Sequence, residues 1–293
     1  VVPALITPFT DDDRVDEDSL RRAVAFQRDA GAHGLLINGL AGEGIFLSIQ
    51  ERERVTEVVA EAASGLPLLV GCTADSTEDA CRLARGARER GASAVMVAPP
   101  RRPDWTREQF KSHYREVVSS AGCEVMVQDA PFAIGVELGV ELVLELADEL
   151  PEIRSYKIEA LPYWSNAVRA REVAGDRLAV FGGHGGVHLM DVLDAGSAGL
   201  IPGADVTATL VKAWTAYRHG DRGAAAQTFT RVLPLLVYQA QSLGLLVGGA
   251  KAVLHERGVI AGEGARLPEA RLNAASRERM LQLARACGEL SEA

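Results

Sequence analysis

Lys157 lies in Ile153-Arg154-Ser155-Tyr156-Lys157-Ile158-Glu159, a short segment that reads as a strand. The chain holds four lysines among thirty-one lysines and arginines, and the other three (Lys111, Lys212, Lys251) fall in segments that read as amphipathic helices. A lysine on a strand covered on both faces loses water, and desolvation favours the neutral amine. A neutral amine attacks carbonyl carbon. The non-catalytic alternatives are a side chain that snorkels to solvent and one that pairs with Glu159.

Other groups with chemistry sit at the ends of short apolar runs. Gly39-Leu40-Ala41-Gly42-Glu43-Gly44 is a glycine-rich turn whose backbone N–H groups could receive a carboxylate. It lacks the G-x-G-x-x-G pattern of dinucleotide sites, and no Gly-Lys-Ser/Thr marks a P-loop. Gln128-Asp129-Ala130-Pro131 ends a fifth run, and Arg101-Arg102 follow a fourth. An arginine there could hold a carboxylate bidentately or stay a solvated surface group. His184 lies between glycines in Gly182–Gly186 and is a candidate substrate contact or proton shuttle. His188 and Asp191 follow, but the glycines make this a loop, so metal-ligand spacing on one helix face is not expected. The four cysteines lack C-x-x-C spacing, and there is no G-x-S-x-G elbow. No cofactor or metal is implied.

These groups need elements to hold them. Apolar runs recur about every thirty residues: Ala4–Phe9, Gly34–Gly39, Pro67–Cys72, Ala94–Pro99, Glu124–Asp129, Ile153–Glu159, Leu178–Gly182 and Ala198–Gly203. Most are β-branched and continuously apolar, as strands covered on both faces should be. Helical patterns separate them, among them Glu51–Ala63, Thr77–Arg90 after Ser76, and Thr106–Ser119 with Thr106 as N-cap. Strands alternating with helices predict an α/β fold, a (β/α)8 TIM barrel over residues 1–219. Four further helices, about Ala204–His219, Arg222–Gln241, Leu243–Arg257 and Ala275–Cys287, close the barrel and supply a C-terminal helical region over 220–293 packed on it. Catalytic groups of such barrels lie at the C-terminal strand ends.

Bulk properties narrow the partners. A net charge of −9 and only 5% aromatics argue against nucleic acid. No apolar run approaches the ~20 residues of a membrane span, and the opening residues do not read as a signal peptide. A cytoplasmic, reduced protein is the expectation.

In this order, the strand ends resemble the dihydrodipicolinate synthase / N-acetylneuraminate lyase family of class I aldolases and dehydratases. The resemblance spans nearly the whole chain. It rests on Ala4–Phe9, Gly39-x-x-Gly42-Glu43, Pro131 with Gly135-Val136, Lys157 with Glu159-Ala160, and Gly199-Leu200-Ile201. It implies a metal-free, oligomeric enzyme, tetramer or dimer, that forms an imine between Lys157 and the C2 carbonyl of a 2-keto acid. The departures are specific. The loop hydroxyls that hold the keto acid carboxylate in the synthase are Leu40 and Ala41 here. The relay tyrosine after strand five is replaced within Gln128–Pro131, a second relay tyrosine by Arg101, and the arginine for a second carboxylate by Ala133. Gln128–Pro131 and Lys157-Ile158-Glu159 look instead like the branch that dehydrates 2-keto-3-deoxy-pentonates.

The sequence therefore predicts a Schiff-base lyase, aldolase or dehydratase, for a small 2-keto acid, most specifically a 2-keto-3-deoxy sugar acid. Lys157, Glu43, Gln128 and Asp129 are expected in catalysis. Gly39, Leu40, Ala41, Gly42, Arg101, His184 and Ile201 are expected around the substrate. The rivals are a non-catalytic carboxylate-binding barrel and a synthase-like condensation of pyruvate with an aldehyde.

Overall fold

The computed structural model describes residues 1–291. Seven parallel strands pair in chain order: β1 Leu35–Ile37, β2 Leu68–Gly71, β3 Ala94–Val97, β4 Glu124–Asp129, β5 Ile153–Ile158, β6 Ala179–Gly182 and β7 Gly199–Leu200. The first apolar run differs from the strand expected over Ala4–Phe9. It joins the sheet through isolated bridges, Ala4 to Leu36 on one side and to Gly203 on the other. Pro3 and Pro8 carry no N–H, so a continuous ladder cannot form there. The bonds that remain include Val2 N–H to the Leu200 carbonyl, Ala4 N–H to the Pro202 carbonyl, Leu5 N–H to the Leu36 carbonyl and Leu36 N–H to the Pro3 carbonyl; they bring β1 and β7 together across this segment and close the TIM barrel.

Local signals set the helix starts. Ser48 and Glu51 form a reciprocal capping box, so the helix begins at Ile49 and runs Ile49–Ala62. Ser76 caps Thr77–Glu89, and Thr106 with Gln109 caps Arg107–Ala121. The C-terminal helices are Thr207–Arg218, Arg222–Gln239, Leu243–Glu256 and Ala274–Ala286. The Pro268 break is a short 3-10 turn, Pro268–Ala270. Gly248 lets it lie close on Leu243–Glu256, since a Cβ there would sit 2.2 Å from the Ala270 carbonyl oxygen.

Strand alternation sorts the site. Leu36, Leu69, Met96, Met126 and Ile201 pack together as the barrel interior. Gln128 follows Met126 by two residues and pairs in register with Lys157, so both point inward. Val127, Tyr156 and Ile158 join the layer between sheet and helices, and Asp129, one residue on from Gln128, faces that layer with them.

Candidate active site

Lys157 is buried, and its Nζ lies 3.2 Å from Glu159 Oε2. Glu159 follows Lys157 by two residues and continues the inward face beyond the end of β5. Its Oε2 also accepts from the Gln128 side-chain amide at 2.6 Å, and its Oε1 from the His184 backbone N–H at 2.7 Å. Two backbone features admit this carboxylate. A Cβ on Gly183 would stand 2.5 Å from the carboxylate, so only glycine fits. His184 takes a left-handed conformation, φ 51°, beside that glycine. Burial acts to raise the Glu159 pKa, but the Lys157 charge, the His184 N–H and the Gln128 amide outweigh it and hold the carboxyl below its usual range.

Lys157 and Glu159 face a cavity of about 20 Å³, room for about one water molecule. Its walls include Leu40 and Ala41 from the glycine-rich turn, Ile201 after β7, Phe132 after β4, and Leu243 and Leu246 from the C-terminal helix. Phe132 is half-exposed and stacks on the His184 ring at 4.9 Å. In the turn, the Gly42 and Gly44 N–H groups donate to the Gly39 carbonyl and the Glu43 N–H to the Leu40 carbonyl. Among the described residues, the Leu40 and Ala41 N–H groups donate to no protein acceptor. Thr7 Oγ1 donates to the Gly42 carbonyl at 2.6 Å, which ties the turn to the first segment.

Several expected residues sit elsewhere. Glu43 is fully buried but does not line the cavity. Its Oε2 lies 2.5 Å from Lys251 Nζ, and its Oε1 accepts from the Arg266 and Leu267 N–H groups at 2.7 Å each. Asp129 faces the helix layer, where it accepts from the Leu138 and Gly139 N–H groups and from the Tyr156 hydroxyl. Burial pushes its carboxyl above the usual range. Both acids are thus engaged away from Lys157: strand parity turns Asp129 outward, and the Glu43 side chain is drawn to the C-terminal region. Arg101 pairs bidentately with Asp75 at the surface and lines a different hollow, with Arg52 and Asp79. The His184 ring lies under Phe132, its Nδ1 buried without a partner. His188 stacks on Tyr163, and its Nδ1 is 3.6 Å from Asp191. No group of three or more His, Cys, Asp or Glu among the described residues is placed to hold a metal ion.

From sequence alone Glu159 has only a pairing role, and Phe132, Leu243, Leu246 and Lys251 are not marked as site residues. A two-residue step along β5 already puts Glu159 beside Lys157. For Lys251 the signal was the apolar run Val247–Leu254 around it, which reads as a buried helix and not an amphipathic one.

The model of the dihydrodipicolinate synthetase family matches residues 1–287. The chain belongs to that family. Among curated relatives, the L-2-keto-3-deoxyarabonate dehydratase of Azospirillum brasilense is 31% identical over 97% of this chain and 93% of its own length. A 4-hydroxy-tetrahydrodipicolinate synthase of Acidobacterium capsulatum is 32% identical over 99% and 95%. The crystal structure of dihydrodipicolinate synthase from Rhodopseudomonas palustris superposes with a TM-score of 0.90 at 27% identity, covering 97% of this chain and 96% of that one. As a family member the protein is a class I lyase with a TIM-barrel fold. Among the described residues no helix is long and apolar enough to cross a membrane.

Proposed function

We propose that the protein is a Schiff-base dehydratase of a 2-keto-3-deoxy sugar acid, with Lys157 as nucleophile and Glu159 as the proton-handling group. The observation that carries this reading is the buried Lys157–Glu159 pair at the cavity, with Glu159 held by Gln128 and His184. The name of the Azospirillum brasilense relative supports the reaction class.

The geometry supports the following order of steps. The substrate carboxylate binds the Leu40 and Ala41 N–H groups, and Lys157 attacks C2. Loss of the carbonyl oxygen as water leaves a protonated imine. That cation withdraws electrons from C3 and makes its proton acidic. Glu159 lies beside the nitrogen that becomes the imine, and C3 is two bonds from that nitrogen. Ionised at neutral pH, it accepts the C3 proton to give an enamine. The enamine electrons then expel the C4 hydroxyl, which leaves as water with the proton returned from Glu159. Hydrolysis of the imine frees the product and the amine. Were the C4 hydroxyl proton removed instead, the C3–C4 bond would break and the reaction would be an aldol cleavage. Among the described residues, those lining the cavity include no arginine for a second carboxylate and no relay tyrosine, which disfavours a synthase-like condensation. The cavity is smaller than any five-carbon acid, so binding requires an outward shift, for which half-exposed Phe132 is the freest wall.

A panel of 2-keto-3-deoxy acids with product identification tests the reading. The expected product is the substrate minus one water, formed without free pyruvate. Stoichiometric pyruvate and an aldehyde would replace dehydration by aldol cleavage. Turnover near ~1 per second with pyruvate and aspartate semialdehyde would overturn the reading in favour of the synthase reaction.

A further inference from the structure

Lys251 sits on the Leu243–Glu256 helix and is fully buried. Its Nζ lies 2.5 Å from Glu43 Oε2, 2.6 Å from the Gly264 carbonyl oxygen and 4.5 Å from the centre of the Phe9 ring. Glu43 uses its other oxygen for the Arg266 and Leu267 N–H groups. Its backbone is left-handed, φ 55°, a state a residue with a side chain rarely takes unless its surroundings hold it there. The Glu43 N–H in turn donates to the Leu40 carbonyl at 3.0 Å. An unbroken chain of contacts therefore runs from Lys251 through Glu43 to the Leu40–Ala41 turn. The same helix presents Leu243 and Leu246 to the cavity.

We propose that Lys251 and Glu43 are positioning residues for the substrate carboxylate, a buried clamp by which the C-terminal segment fixes the Leu40 and Ala41 amides. The proposal rests on the reading that those amides receive the carboxylate of a keto acid bound to Lys157. A buried ion pair adds little stability over an apolar pair of equal volume, yet it fixes the geometry of the groups it joins. Here those groups are a turn with two undonated N–H groups and a segment more than two hundred residues away. Glu43 acts behind the cavity wall, through the backbone of the turn and not on the reacting atoms.

The test uses the full chain with pyruvate as probe and borohydride as trap. Its readouts are the pyruvate concentration giving half-maximal trapping at Lys157 and the trapping level at saturation. Lys251→Met alone leaves a buried unpaired carboxylate and risks unfolding, so the E43Q/K251M double variant, which removes both charges, is the main measurement. With circular dichroism and Tm confirming that it is folded, the half-saturating concentration is expected to rise about tenfold or more, the change that follows from losing one well-placed hydrogen bond. The saturating level should stay close to that of the parent. A merely structural role lowers Tm and the active fraction but leaves the half-saturating concentration unchanged, and that result overturns the clamp while the Lys157 reading stands. A parent protein that forms no adduct at Lys157 overturns both.

Discussion

A carboxylate two residues beyond a strand lysine can serve as counter-ion or as base, and its surroundings decide which. Glu159 accepts two directed N–H bonds and touches Lys157, so it is fixed in place and kept ionised. Because the folded-state pKa is depressed, the ionised form and the stability it contributes persist at neutral pH. Both are lost only as pH falls below the ordinary carboxylate range and through the folded pKa. Glu159→Gln keeps the shape and removes the base. Turnover is expected to fall about 10²–10⁴-fold, while pyruvate still forms a trappable imine at Lys157. Near-normal turnover in that variant would move the base to His184 or to water. Asp129 and Glu43 are the acids nominated by their places at strand ends, Glu43 also by the family resemblance. Counting strand parity from Lys157 through its register with Gln128 would have turned Asp129 outward. No local rule shows that Glu43 pairs with Lys251, because the contact spans 208 positions.

At the scale of elements, the strands were legible because a strand buried on both faces must be a continuous apolar run. The helix starts were legible because Ser76 and Thr106 are side-chain caps. The first run was misread because Pro3 and Pro8 remove ladder donors from an otherwise apolar stretch. The join between barrel and C-terminal helices was the least legible part, and it contains a testable strain. Asp205, after β7, is fully buried. One oxygen accepts from Gln239 of the Arg222–Gln239 helix at 2.7 Å, and the other has no partner. Burial raises its pKa, only partly offset by Gln239. An acid raised in the folded state binds more protons folded than unfolded, so stability falls as pH rises from the ordinary aspartate value through the folded one. Asp205→Asn cannot titrate. It should raise Tm at pH 7–8 by about 1–2 °C for each kcal/mol recovered, and an unpaired buried oxygen leaves on the order of 1 kcal/mol to recover. The gain should shrink toward pH 4. Calorimetry at both pH values checks this, and an equal or lower Tm at neutral pH would show that the charge is compensated.

Over the whole molecule, the ends of three distant segments build one cavity. β5 supplies Lys157 and, just beyond its end, Glu159; the turn after β1 supplies Leu40 and Ala41, and a C-terminal helix supplies the outer wall. The family, the barrel and the burial of Lys157 on an inward-facing strand could be read from the sequence because each rests on local pattern. The partners of Glu159, the lid-like place of Phe132 and the Lys251 clamp could not, because each depends on how far-separated elements meet. All of them matter only if Lys157 is the group that binds substrate covalently. The most direct measurement is reduction with borohydride in the presence of pyruvate, followed by peptide mass spectrometry of the full chain. A single adduct on the peptide containing Lys157, absent in Lys157→Ala and unaffected in location by the E43Q/K251M double variant, is the expected result. An adduct on the Lys251 peptide, or none at Lys157 in protein that turns over its substrate, would contradict it.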